Sequence, residues 1–174
     1  MTEGEFFAAI TGHDSDLPRA VAALRASGQP FCLIGGLAVN NYTEPVVTLD
    51  ADFAVAASVG LVFALKQQGF EVEEFPHSIN ARLPGSQLRL QITVNSRYAD
   101  FPSRAIEGVV FGIPMPVACL EDVLRGKLWA FSDAEWRTSK RAKDRADIIR
   151  LCEDHPNLIP RIPAKVIPEI DAMR

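Results

Sequence analysis

The chain alternates between short apolar runs typical of strands and segments with helical periodicity. An early helix is predicted at 16–26, where an Asp-Leu-Pro start precedes apolar residues at helical spacing. Strands are predicted where apolar runs follow turns or alternate with polar residues, at 31–34, 46–55, 70–75, 88–94 and 109–113. Short helices are predicted at 37–42 and 59–68.

The second half of the chain is more helical. Two long helices are predicted in it, at 120–131 and 140–153. Pro114 and Pro116 precede them and indicate a sheet edge or an exit from the sheet. The proline-rich tail from Pro156 is expected to wrap the surface and to end in a short helix near Glu169.

Composition places the chain among ordinary globular proteins. It has 174 residues, 48% of them apolar and 23% charged, which suits one domain. No apolar run approaches the roughly 18 residues of a membrane helix, and no signal segment is visible, so we expect a cytoplasmic protein without membrane contact. The net charge of −4 argues against a strongly basic nucleic-acid-binding surface over the whole molecule.

Cysteine and histidine give no metal or redox motif. The three cysteines, which we expect to be free thiols among apolar neighbours, are Cys32, Cys119 and Cys152. The histidines, for which we expect no catalytic role, are His13, His77 and His155.

The strongest candidate for chemistry is the pair Asp50 and Asp52. Residues i and i+2 of a strand point to one face, so both carboxylates face the same way inside an apolar stretch. Two like charges at this distance are unfavourable unless a cation or water neutralises them. Magnesium is the natural partner, although charges solvated at a sheet edge would give the same pattern.

A glycine pair precedes these carboxylates at a predicted strand-to-helix turn. Gly35 and Gly36 permit unusual backbone angles and let helix amides approach a phosphate, although a purely structural turn uses the same residues. A phosphate cradle beside a two-carboxylate metal site is the minimum apparatus for phosphoryl or nucleotidyl transfer.

The order Gly35-Gly36, short helix, then Thr-Leu-Asp-Ala-Asp resembles the signature of the DNA polymerase β-type nucleotidyltransferase superfamily. Downstream, Lys127 and Lys143-Asp144 resemble a segment of the AbiEii-like nucleotidyltransferases, the toxin components of some bacterial toxin–antitoxin systems. The resemblance implies an α/β (α+β) fold, a mixed β-sheet flanked by helices. It further implies a single domain over 1–174, with a core at about 17–118 and a helical C-terminal part at about 119–174.

The resemblance also assigns roles. Asp50 and Asp52 would be catalytic metal ligands for Mg²⁺, and Gly35 and Gly36 would contact a nucleoside triphosphate. Lys127 would pair with phosphate charge. Asp144 would orient that lysine or accept the proton of the attacking hydroxyl, although a solvated helix face is an equally good interpretation of both downstream residues.

Two positions depart from the family pattern. The strand at 88–94 is expected to carry a third carboxylate facing the aspartate pair, and Gln91 stands there instead. An amide cannot act as a general base. The family also often has an arginine where this chain has Val46-Val47.

Two functions follow. The first is an enzyme that transfers a nucleotidyl group from a nucleoside triphosphate to a hydroxyl of RNA, protein or a small molecule with Mg²⁺. The second is a catalytically degenerate domain that binds nucleotide or an antitoxin-like protein partner. The basic residues at 137–150 could bind RNA, or they could form a solvated helix face. Trp129 and Trp136, which precede them, could stack on bases, although Trp129 is also expected in the core.

Overall fold

The computed structural model describes residues 2–12 and 14–171, so His13 lies outside the described residues. These residues form a seven-stranded mixed sheet flanked by helices, which confirms the predicted fold class. The strands are β1 (Phe31–Ile34), β2 (Asp50–Val55), β3 (Glu71–Phe75), β4 (Ser78–Arg82), β5 (Arg89–Thr93), β6 (Ile106–Val110) and β7 (Ile113–Val117). The α-helices are α1 (Glu3–Thr11), α2 (Asp16–Ala26), α3 (Gly35–Asn40), α4 (Leu61–Gln67), α5 (Leu120–Ser132), α6 (Thr138–Asp154) and α7 (Ile167–Asp171).

The sheet order places β2 at the centre. The strands run β3-β4-β5-β2-β1-β7-β6 across the sheet. β2 is antiparallel to β1 and parallel to β5, and β7 is parallel to β1. The carboxylate-bearing strand is therefore held by neighbours on both sides.

The strand predicted at 46–55 is shorter than expected. β2 begins only at Asp50, and the preceding Val46 and Val47 are 54% and 59% exposed. The Asn40 side chain forms hydrogen bonds with both backbone groups of Val46, accepting from its N–H and donating to its C=O. Val46 therefore hydrogen-bonds to the end of α3 instead of joining the sheet, which is why the β-branched pair did not extend the strand.

Of the two alternatives predicted for Pro114 and Pro116, the sheet edge is wrong, whereas the chain does leave the sheet at the end of their strand. Both lie within β7, which has β1 on one side and β6 on the other. β1 pairs with β7 at Leu33 and Val117, and neither proline is itself paired with a β1 residue. Because proline has no N–H to donate, neither residue can add a ladder hydrogen bond to β1, which agrees with this short pairing. The run at 109–113 is the end of β6 and a turn through Phe111 and Gly112, both with positive φ.

Three of these elements were missed, namely α1, β4 and β7. The N-terminal α1 is capped by Thr2 and Glu5, which form a capping box that its Thr-x-x-Glu spacing encodes. β4 is a five-residue strand whose apolar residues are Ile79 and Ala81 alone, too few for a clear alternation.

The tail contributes to the core as well as to the surface. After α6 it forms a 3₁₀ segment, Pro156–Arg161, and then α7, close to the predicted position near Glu169. Leu158 is fully buried, and Ile162 and Val166 are buried with it in the same hydrophobic cluster. The tail is therefore part of the packed structure.

Two predicted features of the rest of the chain can be checked. None of Cys32, Cys119 and Cys152 forms a disulfide with a described residue, and Cys32 is buried. Across residues 2–12 and 14–171, no helix combines the length and the apolar character needed to cross a membrane.

Leu158→Ala should lower the free energy of unfolding by about 2–5 kcal/mol, because it leaves a cavity at a fully buried position. The neighbouring Ile159→Ala is the control, since Ile159 is 43% exposed and should lose much less. Urea unfolding of both variants measures the difference. Equal, small losses would mean that the tail is not part of the core.

Candidate active site

Two carboxylates lie on β2 near the centre of the sheet. Asp50 and Asp52 flank Ala51, which is fully buried, so the two aspartates share the other face of the strand. Asp52 is in register with Ile34 on β1 and with Gln91 on β5. The pair therefore opens onto one side of the sheet, beside the start of α3.

The turn from β1 into α3 packs directly against Asp52. Gly35 has a φ of +68°, a left-handed conformation that favours glycine, and any Cβ there would overlap the Asp52 carboxylate. A Cβ on Gly36 would have only ordinary contacts, at 3.7 Å or more, with Thr48. Gly35 is thus required by the space that Asp52 occupies, whereas Gly36 is not required for steric reasons.

The C-terminal helices bring a lysine and two further carboxylates to the same place. Lys127 of α5 lies with its Nζ 2.9 Å from Oδ1 of Asp144 and 2.7 Å from Oδ2 of Asp147. The three side chains are at most 15% exposed, so this ion-pair cluster is largely removed from water. Asp144 Oδ2 is buried and has no hydrogen-bond partner among the described residues.

Arg150 connects this cluster to the segment that leads into β2. Its Nη1 lies 2.9 Å from Asp147, and its Nη2 donates to Asn40 at 3.1 Å and to Thr43 at 2.8 Å. Asn40 in turn holds the backbone of Val46. The lysine on α5 and the approach to the β2 carboxylates are therefore fixed by one polar network.

Asp52 is the least compensated charge in the site. Asp50 forms an ion pair with Arg89 at 2.8 Å, but Asp52 has no ion pair or hydrogen bond within the described part of the chain. Burial raises the pKa of Asp52 to about 6, Lys127 opposes the rise, and the charge of Asp50 adds to it. A cation at this point would relieve both the desolvation and the like-charge repulsion.

The two lysines near Asp52 respond differently to burial. Burial by itself would lower the pKa of Lys127, but the charges of Asp147 and Asp144 outweigh it and raise that pKa. Burial does lower the pKa of Lys140, against the opposing charge of Asp52. Lys127 is therefore held firmly as a cation, whereas Lys140 is the less stabilised charge.

Two cavities meet at Asp52. The larger, called the wide cleft below, has a volume of about 960 Å³ and extends past Gly36, Thr48 and Asp50. The smaller, called the small cavity, has a volume of about 290 Å³ and extends past Gly35 and Tyr98. The residues that line both are Asp52, Gln91, Lys127, Trp136, Lys140 and Asp144.

The structure brings the predicted site residues to this junction. Asp50, Lys127 and Asp144 line the wide cleft together, although they come from β2, α5 and α6. Gln91 is exposed, lies in register with Asp52 and lines both cavities. The Gln91 amide therefore occupies the position at which the family resemblance predicts a third carboxylate.

The aromatic residues divide between core and site. Trp129 packs against Tyr98 and Phe101, with ring centroids 5.1 and 5.7 Å apart, so its place is in the core. Trp136 lines both cavities and has Lys140 Nζ 3.1 Å from its ring centroid.

The basic residues of 137–150 do not act as one patch. Arg137, Lys140 and Lys143 line the wide cleft, where they form no ion pair with any described residue. Arg141 instead donates to the Phe131 carbonyl, and Arg150 belongs to the network described above. The cationic surface is therefore confined to one wall of the wide cleft.

Sequence reasoning missed several residues of the site. Asp147-Ile148 belongs to the downstream segment that resembles the AbiEii-like proteins, but no role was predicted for Asp147, and Arg150 was grouped only with the basic residues of 137–150. Tyr98 carries no spacing signal. No group of three or more His, Cys, Asp or Glu side chains that could hold a metal ion occurs within residues 2–12 and 14–171.

Comparison with known proteins bears on the fold. No family model matches the chain, and no curated protein matches it. The solution structure of the antibiotic-resistance factor ANT(2'')-Ia is similar over 90% of this chain and 88% of that one, with a TM-score of 0.58 and 17% identity. The lincomycin-bound lincosamide antibiotic adenylyltransferase LnuA gives a TM-score of 0.51 at 19% identity, over 87% of this chain and 96% of that one.

A third structure extends the similarity to nearly the whole chain. An antigenic nucleotidyltransferase-like protein from Paracoccidioides brasiliensis matches 99% of this chain and 94% of its own, with a TM-score of 0.51 and 17% identity. These similarities and the mixed sheet show that the chain has the nucleotidyltransferase fold.

Proposed function

We propose that this protein is a magnesium-dependent nucleotidyltransferase that moves a nucleotidyl group from a nucleoside triphosphate to a hydroxyl. The observation on which the proposal rests is the Asp50–Asp52 pair, of which Asp52 is desolvated and has no ion pair of its own among the described residues at the junction of two cavities. Such a pair is costly without a cation. The fold shared with the adenylyltransferase LnuA supports this reaction class.

Asp50 and Asp52 would hold the Mg²⁺. This ion usually binds through one or two carboxylates and completes its shell with waters and substrate phosphates, so two same-face carboxylates suit it. Bound there, it would neutralise charge on the triphosphate. The Arg89 partner of Asp50 is 67% exposed, and an ion pair so open to water is weak enough to yield to the metal.

The triphosphate is assigned to the wide cleft. Arg137, Lys140 and Lys143 give this cleft cations without carboxylate partners among the described residues. Gly36 lies in the same cleft and leaves its backbone open to close approach. Lys127 lines the same cleft and acts electrostatically on Asp52, so its fixed charge can stabilise the phosphate oxygens.

Asp144 is assigned as the proton acceptor. The acceptor hydroxyl attacks the α-phosphorus, a new O–P bond forms, and the bond to pyrophosphate breaks with its electron pair leaving on pyrophosphate. The Gln91 amide cannot take the hydroxyl proton. Asp144 Oδ2 is buried and unpaired in the described structure, while Oδ1 is held by Lys127 at 2.9 Å, so Oδ2 is the available base.

The family subtype is a further part of the proposal. The sequence of Lys127 and Lys143-Asp144 supports an AbiEii-like protein with an antitoxin-like partner, whose acceptor hydroxyl belongs to RNA, protein or a small molecule. The alternative is a degenerate domain that binds nucleotide or protein. Gln91, in place of a third carboxylate, is the feature that favours this alternative.

Loss of either metal ligand should abolish most transfer. Each nucleoside triphosphate, radiolabelled at the α-phosphate, is incubated with Mg²⁺, protein and a cell lysate. Asp50→Asn and Asp52→Asn should reduce labelling by about 100-fold or more, since metal stabilisation is worth several kcal/mol. Asp100→Asn, an exposed change outside both cavities, is the control. Wild-type labelling by Asp52→Asn would refute the metal role.

Asp52 should make the metal-free protein less stable at neutral pH than at acid pH. The pKa of Asp52 is about 6 in the folded protein and lies above the unfolded value. The protonated carboxyl therefore favours the folded state at low pH, and this contribution to the free energy of unfolding is lost as pH rises from about 4 to about 6. Asp52→Asn should remove this loss, so its free energy of unfolding should exceed that of the wild type by about 2–3 kcal/mol at pH 7 and differ little at pH 4. Millimolar Mg²⁺ should stabilise only the wild type. Urea unfolding at both pH values checks this, and a less stable Asn variant at pH 7 would contradict it.

Gln91→Asp should retain or increase transfer activity, because it places a third carboxylate in register with Asp52 at an exposed position. It should also tighten Mg²⁺ binding, measured by calorimetry. Gln87→Asp, exposed and outside both cavities, is the matched control. A large fall in melting temperature that Mg²⁺ does not reverse would show that position 91 has a structural role instead.

A further inference from the structure

The small cavity differs in chemistry from the wide cleft. Apart from the residues shared at the junction, its walls include Tyr98 and Phe101 with the polar side chains of Ser78, Thr93 and Asn95. It is therefore part aromatic and part neutral polar, as expected for a site that binds an organic molecule.

Charge in the small cavity is largely balanced. Asp122 is buried and paired with Arg104 at 2.8 Å and with Arg125 at 3.0 Å. The guanidinium of Arg97 lies over the rings of Tyr98 and Trp129, 5.5 and 5.2 Å from their centroids. Lys127 and Lys140 line both cavities, but Arg137 and Lys143 line the wide cleft alone. The wide cleft is therefore the better match for a polyphosphate, and the balanced charge of the small cavity favours a neutral occupant.

A glycine in the interior of α5 keeps this cavity open. Gly126 lines it, and a glycine weakens a helix interior relative to alanine. A Cβ at this position would lie 3.6 Å from Tyr98 and 3.8 Å from Phe101, which is ordinary contact. Alanine would therefore be accommodated, and what the glycine preserves is space in the cavity.

Polar groups with free hydrogen-bonding capacity also line the cavity. The Tyr98 hydroxyl, the Ser78 hydroxyl and the Gln91 amide make no hydrogen bond to any described side chain or backbone group. Burial raises the pKa of Tyr98, so its hydroxyl stays protonated and can donate. Neutral donors and acceptors of this kind match the hydroxyl groups of an uncharged ligand.

We propose that the small cavity binds the acceptor, and that the acceptor is an uncharged, ring-bearing alcohol of low molecular mass. The proposal rests on the nucleotidyl transfer proposed above. A volume of about 290 Å³ lies at the lower end of small-molecule sites and holds one or two rings. The ring hydroxyl would attack the α-phosphorus at the junction of the two cavities and give its proton to Asp144 Oδ2. Pyrophosphate would then leave from the wide cleft.

The test fills the cavity and measures two kinds of binding. Saturation-transfer NMR reports binding of a fixed panel of ribonucleosides, hexoses and cyclitols, and calorimetry reports binding of MgATP. Gly126→Leu should weaken binding of any panel compound that binds the wild type by about tenfold or more, because the leucine side chain occupies the cavity. Binding of MgATP should change by no more than about twofold. Ala142→Leu, exposed on α6 and outside both cavities, is the control.

A second variant protects the test from a folding failure. Gly126→Ala should fold, raise the melting temperature and weaken panel binding less than leucine does. The panel compound that binds should also become labelled by radiolabelled triphosphate, with the same order of loss in kcat/KM among the variants.

The outcomes separate this proposal from the one on which it rests. If only the proposed nucleotidyl transfer is wrong, MgATP will not bind and no compound will be labelled. Panel compounds will nevertheless bind the wild-type protein and will not bind Gly126→Leu. The acceptor proposal is overturned if no panel compound binds wild type, if Gly126→Leu binds it equally well, or if RNA or protein alone is labelled.

Discussion

The structure depends on accommodating one carboxylate, Asp52, near the centre of a sheet. That carboxylate occupies the space that any side chain at residue 35 would need, and this forces a left-handed glycine at the turn into α3. It also lies beside Asp50 without a counter-ion of its own, so the surrounding lysines carry the compensation. A fold selected for stability alone would gain by placing an apolar residue there, which is why the arrangement points to chemistry.

The compensation comes from the C-terminal helices. Lys127 is held as a cation by two buried carboxylates, and one of these carboxylates is tied through Arg150 to the segment before β2. Burying such a cluster is costly, and it is tolerated where each member has a partner. The exception is Asp144 Oδ2, whose lack of a described partner marks the place where a substrate proton could be received.

Sequence reasoning predicted those features that depend on local spacing. The shared face of Asp50 and Asp52 follows from strand periodicity, and α5 and α6 follow from helical periodicity. The proximity of Lys127 and Asp144 to Asp50 came only through family resemblance, since they lie on different elements. Arg150 was predicted only as one of the basic residues of 137–150, and its contacts with Asn40 and Thr43 could not be found. Tyr98 and Gly126 were not predicted at all, because their roles depend on residues that are distant in the chain. Pro114 and Pro116 misled because the short β1 makes part of an interior strand behave as an edge.

The Arg150 network can form only late in synthesis, because Arg150 lies on α6. The glycine turn and both β2 carboxylates emerge early from the ribosome, whereas the residues that balance and position them lie on the last long helix. A nascent chain that ends before α6 therefore carries an exposed acidic pair without Asp144, Asp147 or Arg150. The polar environment of the β2 carboxylates is therefore completed only after α6 has been synthesised.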